Sequence, residues 1–250
     1  MSDFRDKSVI VTGVASGLGH ALAIEFRKAG AQVTGCDVND EPGAALMKAI
    51  GATYVHADVS KEQQVKDLIA GAVRRHGRLD VMVNNAAVQI SKELVHTSEE
   101  ELDRILAVNL KGPFFGTKHA VLAMLKTGGN IVNVASILGL VGDGMLPAYG
   151  AAKGGVLGLT RSAAVQYADR GIRVNAICPG DIDTPLLAEY FATFADPQAA
   201  RAGIEKEYPI KRIARPEEIT QAVLFLASSQ SSFMTGQSLV VDGGLTISCY

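Results

Sequence analysis

Short apolar runs rich in β-branched residues alternate with helical segments along nearly the whole chain. The first run, Ser8 to Thr12, leads into a turn that contains Gly13, Gly17 and Gly19. Strands that alternate with helices of about 10 to 15 residues are typical of parallel sheets with helices on both faces. The chain has 250 residues and no composition break. We therefore predict a single α/β domain with a doubly wound, mostly parallel seven-stranded sheet.

The same patterns assign the remaining elements. The other predicted strands are Gln32 to Cys36, Thr53 to Ala57, Leu79 to Val83, Gly129 to Ser136, Ile172 to Cys178 and Ser238 to Val241. The predicted helices are Ala21 to Ala29, Glu41 to Ile50, Lys61 to His76, Ser98 to about Leu125, Ala148 to about Asp169, and Pro216 to Ala227. Residues 186–212 are irregular, with scattered aromatic residues, which predicts either a substrate lid over the strand ends or a surface excursion.

The glycine turn and the end of the second strand predict a nucleotide site. Glycines let a backbone approach a pyrophosphate, and the helix N-terminus behind them offers unpaired N–H groups. Asp37 at the strand end can accept hydrogen bonds from both ribose hydroxyls of an adenosine, and it would repel a 2′-phosphate. Ser16 and Val38 are not basic. This pattern favours NAD over NADP.

A hydroxyl, a phenol and an amine define a candidate active site. Tyr149 and Lys153 are four residues apart, so on a helix they share one face. A nearby ammonium favours the phenolate and should lower the pKa of Tyr149. Ser136 ends a predicted strand and could hold a substrate oxygen. Taken alone, such a Tyr/Lys pair is more often a solvated phenol and amine, so the other motifs must decide.

Polar residues at other strand ends belong to the same edge of the sheet. Asp58 follows the third predicted strand and Asn84 follows the fourth. Asn109 lies among apolar residues of a predicted helix, and a buried asparagine needs partners, so it is either a structural bridge or part of a site.

Composition narrows the partners and the compartment. The formal net charge is -2, without a basic run, which argues against nucleic acid and membrane partners. Cys36, Cys178 and Cys249 are few and widely spaced, which predicts neither a disulfide framework nor a metal site. The charged N-terminus lacks the pattern of a signal peptide, so we expect a cytoplasmic protein.

Four motifs in order resemble the short-chain dehydrogenase/reductase family over nearly the whole chain. They are Thr12-Gly13-Val-Ala-Ser-Gly17-Leu-Gly19, Asn84-Asn85-Ala86-Ala87, Ser136 with Tyr149-x-x-x-Lys153, and Pro179-Gly180 with Thr184. Ala87 replaces the usual glycine and adds one methyl group near the cofactor. The resemblance implies a Rossmann-type fold, a cofactor-binding half at about 1–130, a catalytic and substrate-binding half at about 131–250, and a homotetramer.

The resemblance also implies residue roles. Tyr149 would be the general acid/base, Lys153 would lower its pKa and hold the nicotinamide ribose, Ser136 would orient the substrate oxygen, and Asn109 would position a proton-relaying water. The implied cofactor-binding residues are Gly13, Ser16, Gly17, Leu18, Gly19, Asp37, Val38, Asp58, Val59, Asn85, Ala86, Tyr149, Lys153, Pro179, Gly180, Ile182 and Thr184.

The leading hypothesis is an NAD-dependent oxidation of a secondary alcohol to its ketone. Apolar residues around the site favour an apolar or cyclic small-molecule substrate; the predicted substrate contacts are Ser136, Leu138, Met145 and Tyr149. One alternative is an NADPH-dependent carbonyl or 3-oxoacyl reductase. A basic residue near Ser16 or Val38 would support that alternative. The other is a nucleotide-binding protein without catalysis, which an altered set of catalytic residues would mark.

Overall fold

Seven parallel strands form one continuous sheet in the computed structural model, which describes residues 4–247. The strands are β1 (Ser8–Thr12), β2 (Gln32–Asp37), β3 (Thr53–His56), β4 (Val81–Asn84), β5 (Gly129–Val134), β6 (Ile172–Pro179) and β7 (Ser238–Val241). Their order is β3-β2-β1-β4-β5-β6-β7. Every neighbouring pair is parallel. The predicted doubly wound fold is confirmed.

Nine α-helices within the described part of the chain connect and cover the strands. They are α1 (Gly17–Lys28), α2 (Asp40–Ala49), α3 (Glu62–His76), α4 (Glu99–Leu106), α5 (Gly112–Met124), α6 (Pro147–Tyr167), α7 (Pro185–Phe191), α8 (Pro197–Glu207) and α9 (Pro216–Ala227). Helices α1, α2 and α9 share one buried apolar cluster with the sheet. Helices α3, α5 and α6 contribute to a second cluster. The apolar strands are therefore buried on both faces, as a parallel sheet requires.

Two segments differ from the sequence-based expectation. The predicted helix from Ser98 to Leu125 is interrupted by a π-helical turn at Ala107–Lys111, a departure from the 3.6-residue period that side-chain patterning does not reveal. The predicted irregular segment 186–212 contains the short helices α7 and α8. Both begin with proline, and Asp196 caps α8 by accepting hydrogen bonds from the N–H groups of Gln198 and Ala199. The scattered aromatic residues hide the helical pattern of this segment, so the two helix starts are not evident from the sequence.

Buried side-chain hydrogen bonds tie the centre of the sheet to the helices. Asn84 Nδ2 donates to Asn133 Oδ1 at 2.8 Å, and Asn133 Nδ2 donates to Thr160 Oγ1 of α6 at 2.9 Å. All three residues are buried. A Cβ atom on Gly116 of α5 would overlap Asn84 Oδ1. Because buried amides need all their partners, this network fixes how α5 and α6 approach β4 and β5.

Two further sequence-based expectations concern the cysteines and membrane-spanning segments. Cys36 and Cys178 are buried free thiols, whereas Cys249 lies outside the described residues, as do residues 1–3 of the N-terminal segment. Within residues 4–247, none of the helices is both long enough and apolar enough to cross a bilayer.

Replacing Gly116 by alanine should destabilise the protein, because the new methyl group would displace the Asn84 side chain from its network. Overpacking and a disrupted buried hydrogen bond should together lower the free energy of unfolding by about 2–4 kcal/mol. Urea unfolding at one fixed protein concentration measures this change.

The matched control is Gly71→Ala in α3, where the nearest atom to a new Cβ is the flexible Arg74 Nη2 at 3.8 Å. This helix-interior change should stabilise the protein by about 0.5–1 kcal/mol. Equal effects of the two substitutions would contradict the role assigned to the network.

Candidate active site

A cleft with a volume of ≈ 750 Å³ runs along the carboxyl ends of the central strands. One end is lined by the turn after β1 and by the end of β2, and the other by the loop before α6 and by residues of α7 and α8. The cleft crosses the point between β1 and β4 at which the strand order reverses. Ligand sites in open parallel sheets lie at such switch points.

The turn after β1 presents a helix N-terminus to the cleft. Ser16, Gly17 and Leu18 line the cleft, and Ser16 is the N-cap of α1 without a side-chain capping bond. Gly13 and Gly17 have φ values of 76° and 56°, which disfavour residues with a Cβ. Gly19 does not line the cleft, and a Cβ there would overlap Gly13 O. Gly19 therefore closes the turn, while the free N–H groups of α1 can bind an anion.

The turn is attached to the end of β4 by Thr12 and Asn85. Thr12 Oγ1 accepts hydrogen bonds from the N–H groups of Asn85 and Ala86, each at 3.0 Å. Asn85 Nδ2 donates to Thr12 O at 2.8 Å. Asn85 and Ala86 also line the cleft. Thr12 thus holds the turn after β1 and the end of β4 together at the switch point.

Asp37 and Asp58 lie at the nucleotide end of the cleft. The two carboxylate oxygens of Asp37 accept hydrogen bonds from Ala15 N at 2.9 Å and from Asn39 N at 3.0 Å. Each oxygen keeps a lone pair for a further donor. Val38 and Val59 line the same region. The predicted adenosine-binding residues are therefore brought together.

Tyr149, Lys153 and Ser136 meet at the middle of the cleft. Tyr149 and Lys153 lie one turn apart on α6, and Lys153 Nζ is 5.3 Å from the centre of the Tyr149 ring. Lys153 is buried, and its Nζ donates to Val134 O at 2.7 Å. Ser136 follows β5, and its Oγ accepts a hydrogen bond from Leu138 N at 3.1 Å, so its O–H is left to donate.

The pKa values differ from the sequence-based expectation. Burial raises the pKa of Tyr149, and the Asp181 carboxylate raises it further. Burial also lowers the pKa of Lys153 to about 8. The expected lowering of the Tyr149 pKa by Lys153 is therefore not met in the protein alone, because desolvation of the phenolate and a neighbouring negative charge dominate.

The Asn109 side chain acts as a structural bridge. Its Oδ1 accepts from Val88 N at 2.9 Å, and its Nδ2 donates to Val88 O at 2.8 Å. Asn109 is fully buried and does not line the cleft. The side-chain amide is thus engaged with the main chain of Val88, and Asn109 lies in a π-helical turn that disturbs the regular bonding of helix carbonyls.

The end of β6 and the loop after it form a further wall of the cleft, which approaches the start of α1. Pro179, Gly180, Ile182 and Thr184 line the cleft, and a Cβ on Gly17 would lie 3.4 Å from Thr184 Cβ. Asp183 lies outside the lining, where its carboxylate makes two hydrogen bonds of 2.9 Å with Arg201 of α8.

The predicted substrate contacts differ in their position relative to the cleft. Leu138 lines the cleft, but Met145 does not: it is 41% exposed, and the buried Leu146 lines the cleft in its place. The substrate contact predicted for Met145 stays a prediction, and residues 142–146 form an irregular turn before α6. Sequence reasoning also did not assign Asp181 and Tyr208, which line the cleft and are bonded to each other across 27 positions.

These residues fit a nicotinamide dinucleotide. The uncapped N-terminus of α1 suits a pyrophosphate, and no acidic side chain lies in its first turn. Asp37 suits a ribose diol, and the cleft continues from there to Tyr149.

Comparisons with known proteins agree with this geometry. A family model described as enoyl-(acyl carrier protein) reductase matches residues 13–246. A cis-4-hydroxycyclohexanecarboxylate dehydrogenase of Sinomonas cyclohexanicum is 44% identical, with 97% of this chain and 98% of the relative covered. A 3-oxoacyl-[acyl-carrier-protein] reductase of Thermotoga maritima is 39% identical, with 96% and 98% covered.

A solved structure extends the likeness to three dimensions. The ligand-free aldohexose dehydrogenase of Thermoplasma acidophilum superposes with a TM-score of 0.92 at 36% identity, over 98% of this chain and 96% of that one. With the family model matched over most of the chain, these relatives identify the protein as a member of the short-chain dehydrogenase/reductase family, an oxidoreductase that acts on CH–OH groups with NAD or NADP.

Proposed function

We propose that the protein is an NAD-dependent dehydrogenase that oxidises a secondary alcohol of an apolar or cyclic compound to the ketone. The observation that carries this proposal is the position of Tyr149, Lys153 and Ser136 in the same cleft as Asp37 and the N-terminus of α1. A proton-transfer group and a nucleotide site in one cleft are what hydride transfer from an alcohol requires.

Each side chain has a defined task in this reaction. Ser136 donates its free O–H to the substrate oxygen, and Tyr149 takes the hydroxyl proton as the general base, or returns it in the reverse direction. Lys153 holds the nicotinamide ribose, and its charge helps the phenolate to form. The bound cofactor supplies the hydride acceptor. The main chain of Asn109 holds a water that passes the proton onward.

Asp37 supports NAD rather than NADP. It lines the cleft together with Val38 and Asn39, and none of these residues is basic. A ribose 2′-phosphate would approach the Asp37 carboxylate without a positive partner, and like charges in contact cost several kcal/mol. The remaining predicted cofactor-binding residues line the same cleft, except Gly19, which supports the turn.

The runner-up is an NADPH-dependent carbonyl or 3-oxoacyl reductase, the activity named for the Thermotoga maritima relative. Asp37 and the lack of a basic residue at positions 16 and 38 speak against it. The Sinomonas cyclohexanicum relative, named as acting on a hydroxycyclohexane compound, supports a cyclic alcohol. A nucleotide-binding protein without catalysis is disfavoured because Ser136, Tyr149 and Lys153 all line the cleft.

The proposal also covers the organisation of the molecule. We assign cofactor binding to about residues 1–130, and catalysis and substrate binding to about 131–250. Residues 186–212 form the lid, because Leu186, Tyr190 and Tyr208 of this segment line the cleft. We place the protein in the cytoplasm as a homotetramer.

Apolar surface on two sides of the subunit supports the tetramer. Phe114 and Leu122 of α5 and Val165 of α6 are exposed on one side. Phe233 and Ile247 are exposed at the other end of the sheet, near β7. Two separate apolar surfaces allow two kinds of twofold interface, as a tetramer built as a dimer of dimers needs.

Substitution of Tyr149 by phenylalanine should lower kcat for alcohol oxidation by about 10²- to 10⁴-fold, the usual contribution of a general base. In the wild type the rate should rise with pH through the alkaline range, because the phenol must lose its proton and its pKa is raised. NADH formation is measured across a panel of cyclic and apolar secondary alcohols.

Tyr167→Phe at the far end of α6 serves as the matched control, since Tyr167 does not line the cleft. It should keep wild-type kinetics. Equal activity of Tyr149→Phe and the wild type would contradict the mechanism.

Cofactor preference should depend on Asp37. The wild type should favour NAD over NADP by about 100-fold in kcat/KM, and Asp37→Ser combined with Val38→Arg should reverse the preference by removing the repulsion and adding a positive partner. Asp40→Asn, which changes a carboxylate outside the cleft lining, should leave the preference unaltered. An equal preference of the wild type for both cofactors would contradict the assignment.

Light scattering should give a mass four times the chain mass of 26.3 kDa. Val165→Glu places a charge in one apolar surface and should reduce the assembly to half that mass. A wild-type protein with the mass of one chain would overturn the tetramer.

A further inference from the structure

Asp181 is a carboxylate in the substrate end of the cleft with one oxygen left open. It follows Gly180 at the end of β6 and lines the cleft with Tyr149 and Leu138. Its Oδ2 accepts a hydrogen bond from Tyr208 Oη at 2.8 Å. Its Oδ1 accepts none from any residue between 4 and 247. Asp181 is only half-buried, so this oxygen is available to a molecule in the cleft.

Tyr208 holds this carboxylate in place. Besides donating to Oδ2, Tyr208 Oη accepts a hydrogen bond from the N–H of Asp181 at 2.6 Å. Tyr208 is 2% exposed and fits against two glycines: a Cβ on Gly180 would lie 2.8 Å from Tyr208 Oη, and a Cβ on Gly243 would lie 3.1 Å from Tyr208 Cδ1. The Asp181 side chain is thus preorganised, and little freedom is lost when a ligand binds to it.

The carboxylate faces the same space as the reacting groups. Asp181 lines the same cleft as Tyr149 and Ser136, and its negative charge contributes to the raised pKa of Tyr149. A substrate whose carbinol meets Tyr149 and Ser136 can therefore also reach Asp181. Burial and the nearby Asp143 raise the pKa of Asp181 itself, and the hydrogen bond from Tyr208 opposes them. The group is an acceptor whose desolvation must be offset by a donor.

The charges around the cleft limit that donor. Asp143, Glu189 and Glu207 also line the cleft, and the cationic side chains in the lining are Arg104 and Lys153, of which Lys153 is bonded to Val134 O. A carboxylate on the substrate would meet negative charge. An ammonium group would be attracted by these charges, but its three donors would have to be desolvated among apolar neighbours such as Leu138 and Leu146. An O–H group has one donor, which the open oxygen of Asp181 can accept.

We infer that Asp181 determines substrate specificity by accepting, through Oδ1, a hydrogen bond from a second hydroxyl group of the substrate. The substrate is then a neutral diol or polyol, with one hydroxyl oxidised at Tyr149 and another bound at Asp181. This inference rests on the proposed alcohol oxidation and adds the substrate class to it.

Ring alcohols that differ in one substituent test this inference. The probes are cyclohexanol, the 1,2-, 1,3- and 1,4-cyclohexanediols, and 4-hydroxycyclohexanecarboxylate. A hydrogen bond to a charged group corresponds to about 10- to 150-fold in rate or affinity. The best diol should therefore exceed cyclohexanol at least about 10-fold in kcat/KM, and the carboxylate compound should fall below cyclohexanol.

Asp181→Leu should bring the ratio of diol to cyclohexanol close to 1 while cyclohexanol itself is still oxidised. Tyr208→Phe should lower the ratio less, because it only loosens the carboxylate. Asp183→Leu is the matched control: it removes a carboxylate two positions away that lies outside the cleft lining, so both alcohols should change by the same factor. A wild-type ratio near 1, or an unchanged ratio in Asp181→Leu, would overturn the inference.

Binding without turnover separates this inference from the proposed function. Isothermal titration of the same alcohols, with and without NADH, cannot include oxidation. If no alcohol is oxidised but a diol binds about 10-fold more tightly than cyclohexanol and Asp181→Leu loses that difference, the binding site stands and the proposed reaction fails. If the diol binds no better than cyclohexanol, the inference fails whether or not oxidation occurs.

Discussion

The reversal of strand order between β1 and β4 is the constraint on which the rest of the site depends. The connections that follow β1 and β4 run to opposite faces of the sheet. This leaves a crevice between the carboxyl ends of the two strands, which the side chains of the sheet do not fill. Thr12 Oγ1 fixes the width of this crevice, because it accepts the N–H groups of both Asn85 and Ala86. The uncapped start of α1 and the end of β4 are thereby held as two sides of one cleft. Hydrogen bonds between the side chains of Asn84, Asn133 and Thr160 connect β4 and β5 to α6. Helix α6 bears Tyr149 and Lys153.

The electrostatics of the site show how burial and charge oppose each other. Lys153 is buried and its pKa falls to about 8, whereas burial and Asp181 raise the pKa of Tyr149. In the protein alone both groups are thus shifted toward their neutral forms. In the proposed reaction the phenolate therefore has to be stabilised against both its burial and the neighbouring Asp181 carboxylate.

Local patterns were sufficient to predict most of the fold and the centre of the site. Ser8–Thr12 and Ser238–Val241 are strands with the predicted bounds, since each is a short run rich in apolar β-branched residues next to turn residues. Tyr149 and Lys153 were predictable because four positions on a helix give one face. The π-helical turn at Asn109 was not, because side-chain periodicity carries no signal for it and the bonds of Asn109 are to Val88, 21 positions earlier. Asp181 and Tyr208 were missed for the same reason: their pairing depends on how the segment after α8 returns to the end of β6, and the sequence carries no local signal for it. The sequence shows that Lys153 is one helical turn from Tyr149, but it does not show the burial of Tyr149. The predicted direction of the Tyr149 pKa shift therefore differs from that in the structure.

The attachment of α8 has a mechanical consequence. Arg201 within the helix binds Asp183, and Tyr208 directly after the helix binds Asp181, so α8 is joined at two points to the short loop 181–183 that follows β6. The Arg201–Asp183 pair has two parallel hydrogen bonds, and Arg201 also binds Glu205, so this contact is stronger than an ordinary surface ion pair. The Tyr208 contact is buried. Because Tyr208 also orients the Asp181 carboxylate, a shift of α8 would change the orientation of that carboxylate in the cleft.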